Sequence, residues 1–147
     1  MFSMITSSSH KRLAHVVLAE DDPTTARLVE VALQRAGVLH DLRIVGDGDA
    51  AIAALERPSA PTDLLLLDLY MPGKNGFEVL AHVKGQEHLR RIPVVVFSSS
   101  ETPEDVNRAY DLHANAYVFK NPSFHDMCRS VDVTLQFWLH TAIIPHL

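Results

Sequence analysis

The chain has 147 residues, 47% of them apolar and 21% charged, which suits one globular domain able to bury a real core. Its formal net charge of −5, with no basic run and no zinc-finger spacing, argues against nucleic acid as a partner, because duplex binding rests on neutralising phosphates with Lys and Arg. One cysteine, Cys128, rules out an internal disulfide and suits a reducing cytoplasm, and no apolar run is long enough to span a bilayer.

Residues 1–13 read as a flexible arm ahead of a domain over 14–147; Lys11 and Arg12 follow the apolar residues of the arm, the reverse of a secretory signal. Strands and helices then alternate. His15–Ala19 is β-rich and ends in acids, and Asp22-Pro23 reads as an N-cap followed by proline at the first helical position. Ala26, Leu28, Val29, Val31, Ala32 and Leu33 fill a helix that stops near Gly37. Leu42–Val45 is a second strand, and Asp49 caps a helix from Ala50 to Glu56. After the loop RPSAPT, Leu64–Leu67 shows no alternation, as expected of a parallel strand covered on both faces. Phe77–Val83 carries helical spacing, and Pro93–Phe97 reads as another buried strand. Thr102-Pro103-Glu104-Asp105 combines a capping box with a helix-start proline, for a helix reaching about His113. Ala116–Phe119 is the last strand, and Ser123 caps a final helix lasting to about His140.

This alternation predicts an α/β domain, a doubly wound parallel sheet of the flavodoxin-like (βα)5 type in strand order 2-1-3-4-5. Ligands of such sheets bind outside the carboxyl ends of the strands, at the switch between strands 1 and 3. Strand 1 ends in Glu20-Asp21-Asp22, strand 3 in Asp68, strand 4 in Ser98-Ser99-Ser100 and strand 5 in Lys120. Two like charges ~4 Å apart repel by roughly 4 kcal/mol at an effective dielectric of about 20, so this rim calls for a counter-charge. A hard divalent cation, Mg2+ or Mn2+, meets that need and prefers carboxylates, waters and phosphate oxygens. On this chemistry Asp68 is the candidate nucleophile toward phosphorus and Asp21 the main side-chain metal ligand, with Glu20 holding the metal through water. Ser98 can donate to one phosphoryl oxygen and Lys120 can pair with another, while backbone N–H groups after Asp68 cradle the rest. Asp22 is left as a helix cap.

The segments VVLAEDDPTTARLV (16–29), LLLLDLYMPGKNGFEVL (64–80), IPVVVFSSS (92–100) and ANAYVFKNP (114–122) resemble the response-regulator receiver family. The resemblance implies that Glu20 and Asp21 are the acidic pair, Asp68 the phosphoacceptor and the backbone carbonyl of Tyr70 a third metal contact. It further implies that Ser98 and Tyr117 are the hydroxyl and aromatic switch residues, that Lys120 is the site lysine, and that a histidine kinase supplies the phosphoryl group. QFWLHTAIIP (136–145) is similar to the stand-alone receivers partnered with bacterial and cyanobacterial phytochromes. Glu20 departs from the more frequent Asp. Asn121 separates Lys120 from Pro122, where the family usually has Lys-Pro with a cis bond; a cis bond before Asn121 would cost about 3 kcal/mol, so the loop carries that strain or is rearranged.

These features describe a phosphoacceptor signalling protein that supports its own phosphorylation and dephosphorylation. The alternatives within this class are an intermediate receiver in a phosphorelay and an interaction module that works without phosphorylation. A phosphatase of the haloacid dehalogenase type would need an acid where Tyr70 stands, and a flavin carrier would be repelled by Glu20-Asp21-Asp22. In the last helix, Phe124, Met127, Cys128, Val131, Leu135 and Trp138 form one apolar stripe that reads as the core face. Val133 and Phe137 lie off it and Ile143 and Ile144 follow, a second apolar face that suits homodimerisation. The nine histidines look scattered and none is assigned as a ligand.

Overall fold

The computed structural model describes residues 13–145, so the expected arm, apart from Leu13, lies outside the described residues. The order of elements is β1 (Ala14–Ala19), α1 (Pro23–Arg35), β2 (His40–Val45), α2 (Gly48–Glu56), β3 (Leu64–Leu67), α3 (Gly76–Gly85), β4 (Val94–Ser98), α4 (Pro103–Asp111), β5 (Ala116–Phe119) and α5 (Phe124–Gln136). The strands are all parallel, in the order β2-β1-β3-β4-β5 expected of the flavodoxin-like fold.

Side chains alternate between the two faces of a strand, and this period divides the core. Val17, Ala19, Leu65, Leu67, Val94 and Val96 enter the layer shared with α2, α3 and Ala109 of α4. Val16, Leu18, Leu64, Leu66, Val95 and Phe97 enter the layer shared with α1 and α5. Both faces of β3 are therefore covered, and all four of its leucines are buried. Each such side chain contributes roughly 1.5–3 kcal/mol by leaving water.

Each of the five α-helices begins on a side-chain cap. Asp22, Asp47, Asn75, Thr102 and Ser123 accept N–H groups of Thr24, Ala50, Glu78, Asp105 and Asp126. Each strand runs into its helix at the carboxyl edge of the sheet, so these polar caps gather on the same rim as the acids. At Asn75 the cap is reciprocal, with Glu78 reaching back to the Asn75 N–H.

Several expectations need correction. The cap of α2 is Asp47, not Asp49: Asp47 is extended and its Oδ1 accepts the Ala50 N–H at 2.7 Å, which lets Gly48 begin the helix. Gly48 must lack a side chain, since a Cβ there would fall 2.0 Å from the Lys74 carbonyl oxygen. β2 begins at His40, where it is already in register with Ala14 of β1. The last helix is regular only to Gln136 and then widens into a π-helical turn, Phe137–Thr141, closed by the Ala142 N–H on Phe137 O. Phe124 is not in the core stripe. It is 66% exposed at the first position of α5 and lines a groove with Pro23, Leu28 and Cys128. His82 and His88 are not scattered either, because their Nε2 atoms meet the two oxygens of the Glu56 carboxylate at 2.8 and 2.7 Å.

Helix α4 ends at Asp111, and His113 follows in the left-handed region with φ 72°. A side chain there is strained by roughly 1–2 kcal/mol, while glycine costs about 0.5–1 kcal/mol through the unfolded chain. His113→Gly is therefore expected to raise stability by about 0.5–1 kcal/mol, measured as a higher denaturation midpoint in urea at unchanged slope.

Candidate functional site

Strand register sets the site. β1 and β3 are neighbours, and the Asp68 N–H continues their ladder to Ala19 O at 3.0 Å. Glu20, just past β1, and Asp68, just past β3, are thus held side by side. On the far side of β4, the Lys120 N–H bonds Ser98 O at 2.7 Å, which fixes where the lysine leaves β5. Its Nζ reaches across to lie 2.5 Å from Glu20 Oε1 and 3.2 Å from Asp68 Oδ2.

Glu20 and Asp68 are only 3% and 6% exposed, whereas Asp21 faces solvent. Burial pushes the Glu20 carboxyl up to about 7; the charge of Asp68 adds to the rise and Lys120 opposes it. Burial alone would lower Lys120, but the Glu20 and Asp68 carboxylates outweigh it and hold the ammonium above its ordinary value. Glu20 Oε2 accepts the Asp22 N–H at 3.3 Å, and Asp22 in turn takes the hydroxyl of the buried Thr25 at 2.8 Å. Glu20 Oε1 is buried, with the Lys120 ammonium against it.

A carboxylate oxygen from each of Glu20, Asp21 and Asp68 lies within 4.8 Å of the others. Three acids face one ammonium. That donor set fits a hard divalent cation, which takes oxygen ligands and offsets the excess charge.

Other predicted residues fall around this centre. Ser98 is fully buried at the end of β4, and its Oγ accepts the Ser100 N–H at 3.1 Å. Tyr117 sends its hydroxyl to Ser100 O at 2.7 Å. The Tyr70 N–H donates to Asp68 Oδ1 at 3.3 Å, and its side chain turns outward. All described peptide bonds are trans, so the loop after Lys120 is the rearranged form, with Asn121 Oδ1 accepting the Ser123 N–H at 2.9 Å. Val133, Phe137 and Ile143 are exposed, far from the acids in sequence and on other elements. Ile144 is partly buried and lines a cavity with His15, Pro61 and Pro93.

Sequence reasoning missed three contributors. Thr25 braces Asp22, and the Asp-x-x-Thr spacing was its signal. Gly76 sits against the backbone of Asp68 and Leu69, where a Cβ would lie 2.4 Å from Asp68 O. Asp105 of α4 accepts the Tyr70 hydroxyl at 2.6 Å, a contact across 35 residues that no local pattern encodes.

A 2-1-3-4-5 parallel sheet whose rim sets an acid triad against a lysine across the strand switch defines a receiver-type signalling domain. The family described as the response regulator receiver domain matches residues 16–132, and the chain belongs to it. The response regulator Rcp1 of Synechocystis sp. is 39% identical over 135 residues, covering 88% of this chain and 92% of the relative. Among solved structures, the Mn2+-bound form of response regulator Rcp1 superposes with a TM-score of 0.88 at 38% identity, covering 90% of this chain and 99% of that one. The phosphorylated cyanobacterial phytochrome response regulator RcpA gives the same TM-score, 0.88, at 38% identity, covering 92% and 100%.

The raised Glu20 carboxyl has a definite pH signature. Between its ordinary 4.5 and about 7 the folded chain holds a proton that the unfolded chain has lost, so stability falls as pH rises through that window. Without divalent ions the denaturation midpoint is expected to drop from pH 5 to pH 8, more steeply than in Glu20→Gln, which also gains stability at pH 8. Equal slopes in urea titrations of the two proteins would remove Glu20 as the source.

Proposed function

We propose that Asp68 accepts a phosphoryl group from the phosphohistidine of a histidine kinase, in a reaction that requires Mg2+ or Mn2+. The observation that carries this reading is the convergence of the Glu20, Asp21 and Asp68 carboxylates beside the Lys120 ammonium. The Asp68 carboxylate attacks phosphorus in line; the O–P bond forms as the P–N bond breaks, and the donor imidazole leaves with the electron pair. Glu20, Asp21, Asp68 and the Tyr70 carbonyl hold the cation, which when bound neutralises charge on the phosphoryl oxygens. Lys120 exchanges one of its carboxylate contacts for a phosphoryl oxygen. The Ser98 hydroxyl, now accepting from Ser100, turns to donate to another, and the Tyr117 hydroxyl leaves Ser100 O as the chain shifts between two populated states. The same residues position water for loss of the phosphoryl group.

A phytochrome-type kinase is the proposed donor, supported by the 38% identity to RcpA, which is described as a cyanobacterial phytochrome response regulator. We also propose self-association through Val133, Phe137 and Ile143, whose exposure leaves apolar area for a second copy to cover. Ile144 was expected in this face but is partly covered by its own domain and contributes less.

Incubation with a small phosphodonor and Mg2+ is expected to add one phosphoryl group to the wild-type chain and none to Asp68→Asn, read by intact mass. Label persisting in the variant would assign the nucleophile elsewhere. Phe137→Asp is expected to weaken self-association at least about tenfold, the effect of losing a central apolar anchor, with an unchanged melting temperature; sedimentation equilibrium reads the outcome.

A further inference from the structure

We infer that Tyr70 is a positioning residue for cation binding: its hydroxyl, anchored on Asp105 of α4, holds the peptide groups that follow Asp68 in the arrangement that receives the ion. This rests on the site reading proposed above and adds to it a side-chain contact outside the acid cluster.

Tyr70 is 55% exposed, so burial does not fix its side chain. Two contacts do. The hydroxyl donates to Asp105 Oδ2 at 2.6 Å, a charge-assisted bond of the short, strong kind. The ring meets Phe77 edge-on, with centroids 6.4 Å apart and planes at 86°. At its other end the residue touches the phosphoacceptor directly, through the N–H on Asp68 Oδ1 at 3.3 Å. One residue therefore spans from Asp68 to α4. Its anchor is itself secured: the Asp105 N–H is bound by the Thr102 cap at 3.3 Å, and the Arg108 guanidinium lies 4.1 Å from the centre of the Phe77 ring. Helix α4 thus meets the loop after Asp68 at Tyr70 and the first turn of α3 at Phe77. A loop held this way before the ion arrives does not have to be ordered by it, which is how preorganisation raises affinity.

The test is Mg2+ titration by calorimetry of the wild type, Tyr70→Phe, Asp105→Ala and the double variant, with amide hydrogen exchange at Tyr70 in the metal-free proteins. Each single variant is expected to bind Mg2+ roughly three- to tenfold more weakly, the size of one coupled contact, and the double variant no more weakly than the weaker single. Exchange at the Tyr70 amide should quicken in all three. Tyr70→Phe keeps the Asp105 charge, so a loss seen in Asp105→Ala alone would be a charge effect and would overturn the inference. So would affinities within about twofold of wild type in Tyr70→Phe, or losses that multiply in the double variant. Asp68→Asn is the control for the underlying site: if it binds Mg2+ as tightly as wild type, the acid cluster is not the cation site and both readings fall.

Discussion

The ammonium of Lys120, set between Glu20 and Asp68, is the contact on which the rest of the rim depends. Both acids are nearly sealed from water, and each would repel the other across the strand switch. Repulsion of roughly 4 kcal/mol for charges ~4 Å apart is comparable to a large share of a domain's net stability. The lysine reaches them because β5 lies beside β4 in register, with Ser98 O receiving the Lys120 N–H. A single positive charge against three acids leaves the site under-compensated. That residual negative charge makes the pocket receptive to a divalent ion and, through the ion, to an anion that the bare rim would turn away.

The surrounding chain fixes the position of Asp68. It sits past the last leucine of β3, where its N–H makes the closing bond of the ladder to β1. Gly76 allows the start of α3 to pass close behind its carbonyl, and the reciprocal Asn75–Glu78 cap fixes where that helix begins. The loop between them is thus tied at both ends.

Much of this was readable from the chain because it follows from local rules. The unbroken Leu64–Leu67 run announced a strand with two covered faces, and the residues just past each predicted strand had to share one rim once the strands were parallel. That rule alone places Glu20, Asp21, Asp68, Ser98 and Lys120 together. What escaped was contact between elements. Tyr70 with Asp105, and Glu56 with His82 and His88, are pairs 35, 26 and 32 residues apart whose meeting depends on how each helix lies across the sheet. Phe124 fits the α5 stripe by spacing, yet that first position of the helix reaches only the groove against α1. The widening at Phe137 is equally invisible to helical spacing. There the chain leaves the α-helical path while His140 Nε2 bonds Ala36 O at 2.8 Å.

The sheet divides the apolar core into two separately packed layers. Helix α4 rests on one apolar layer and α5, bearing Val133 and Phe137, on the other. β5 is where the layers adjoin: Tyr117 packs with the α4 side, while its neighbours Ala116 and Val118 pack with the α5 side. Tyr117 and Val118, adjacent in β5, therefore pack into opposite layers, and this edge strand is the seam at which the two packings meet.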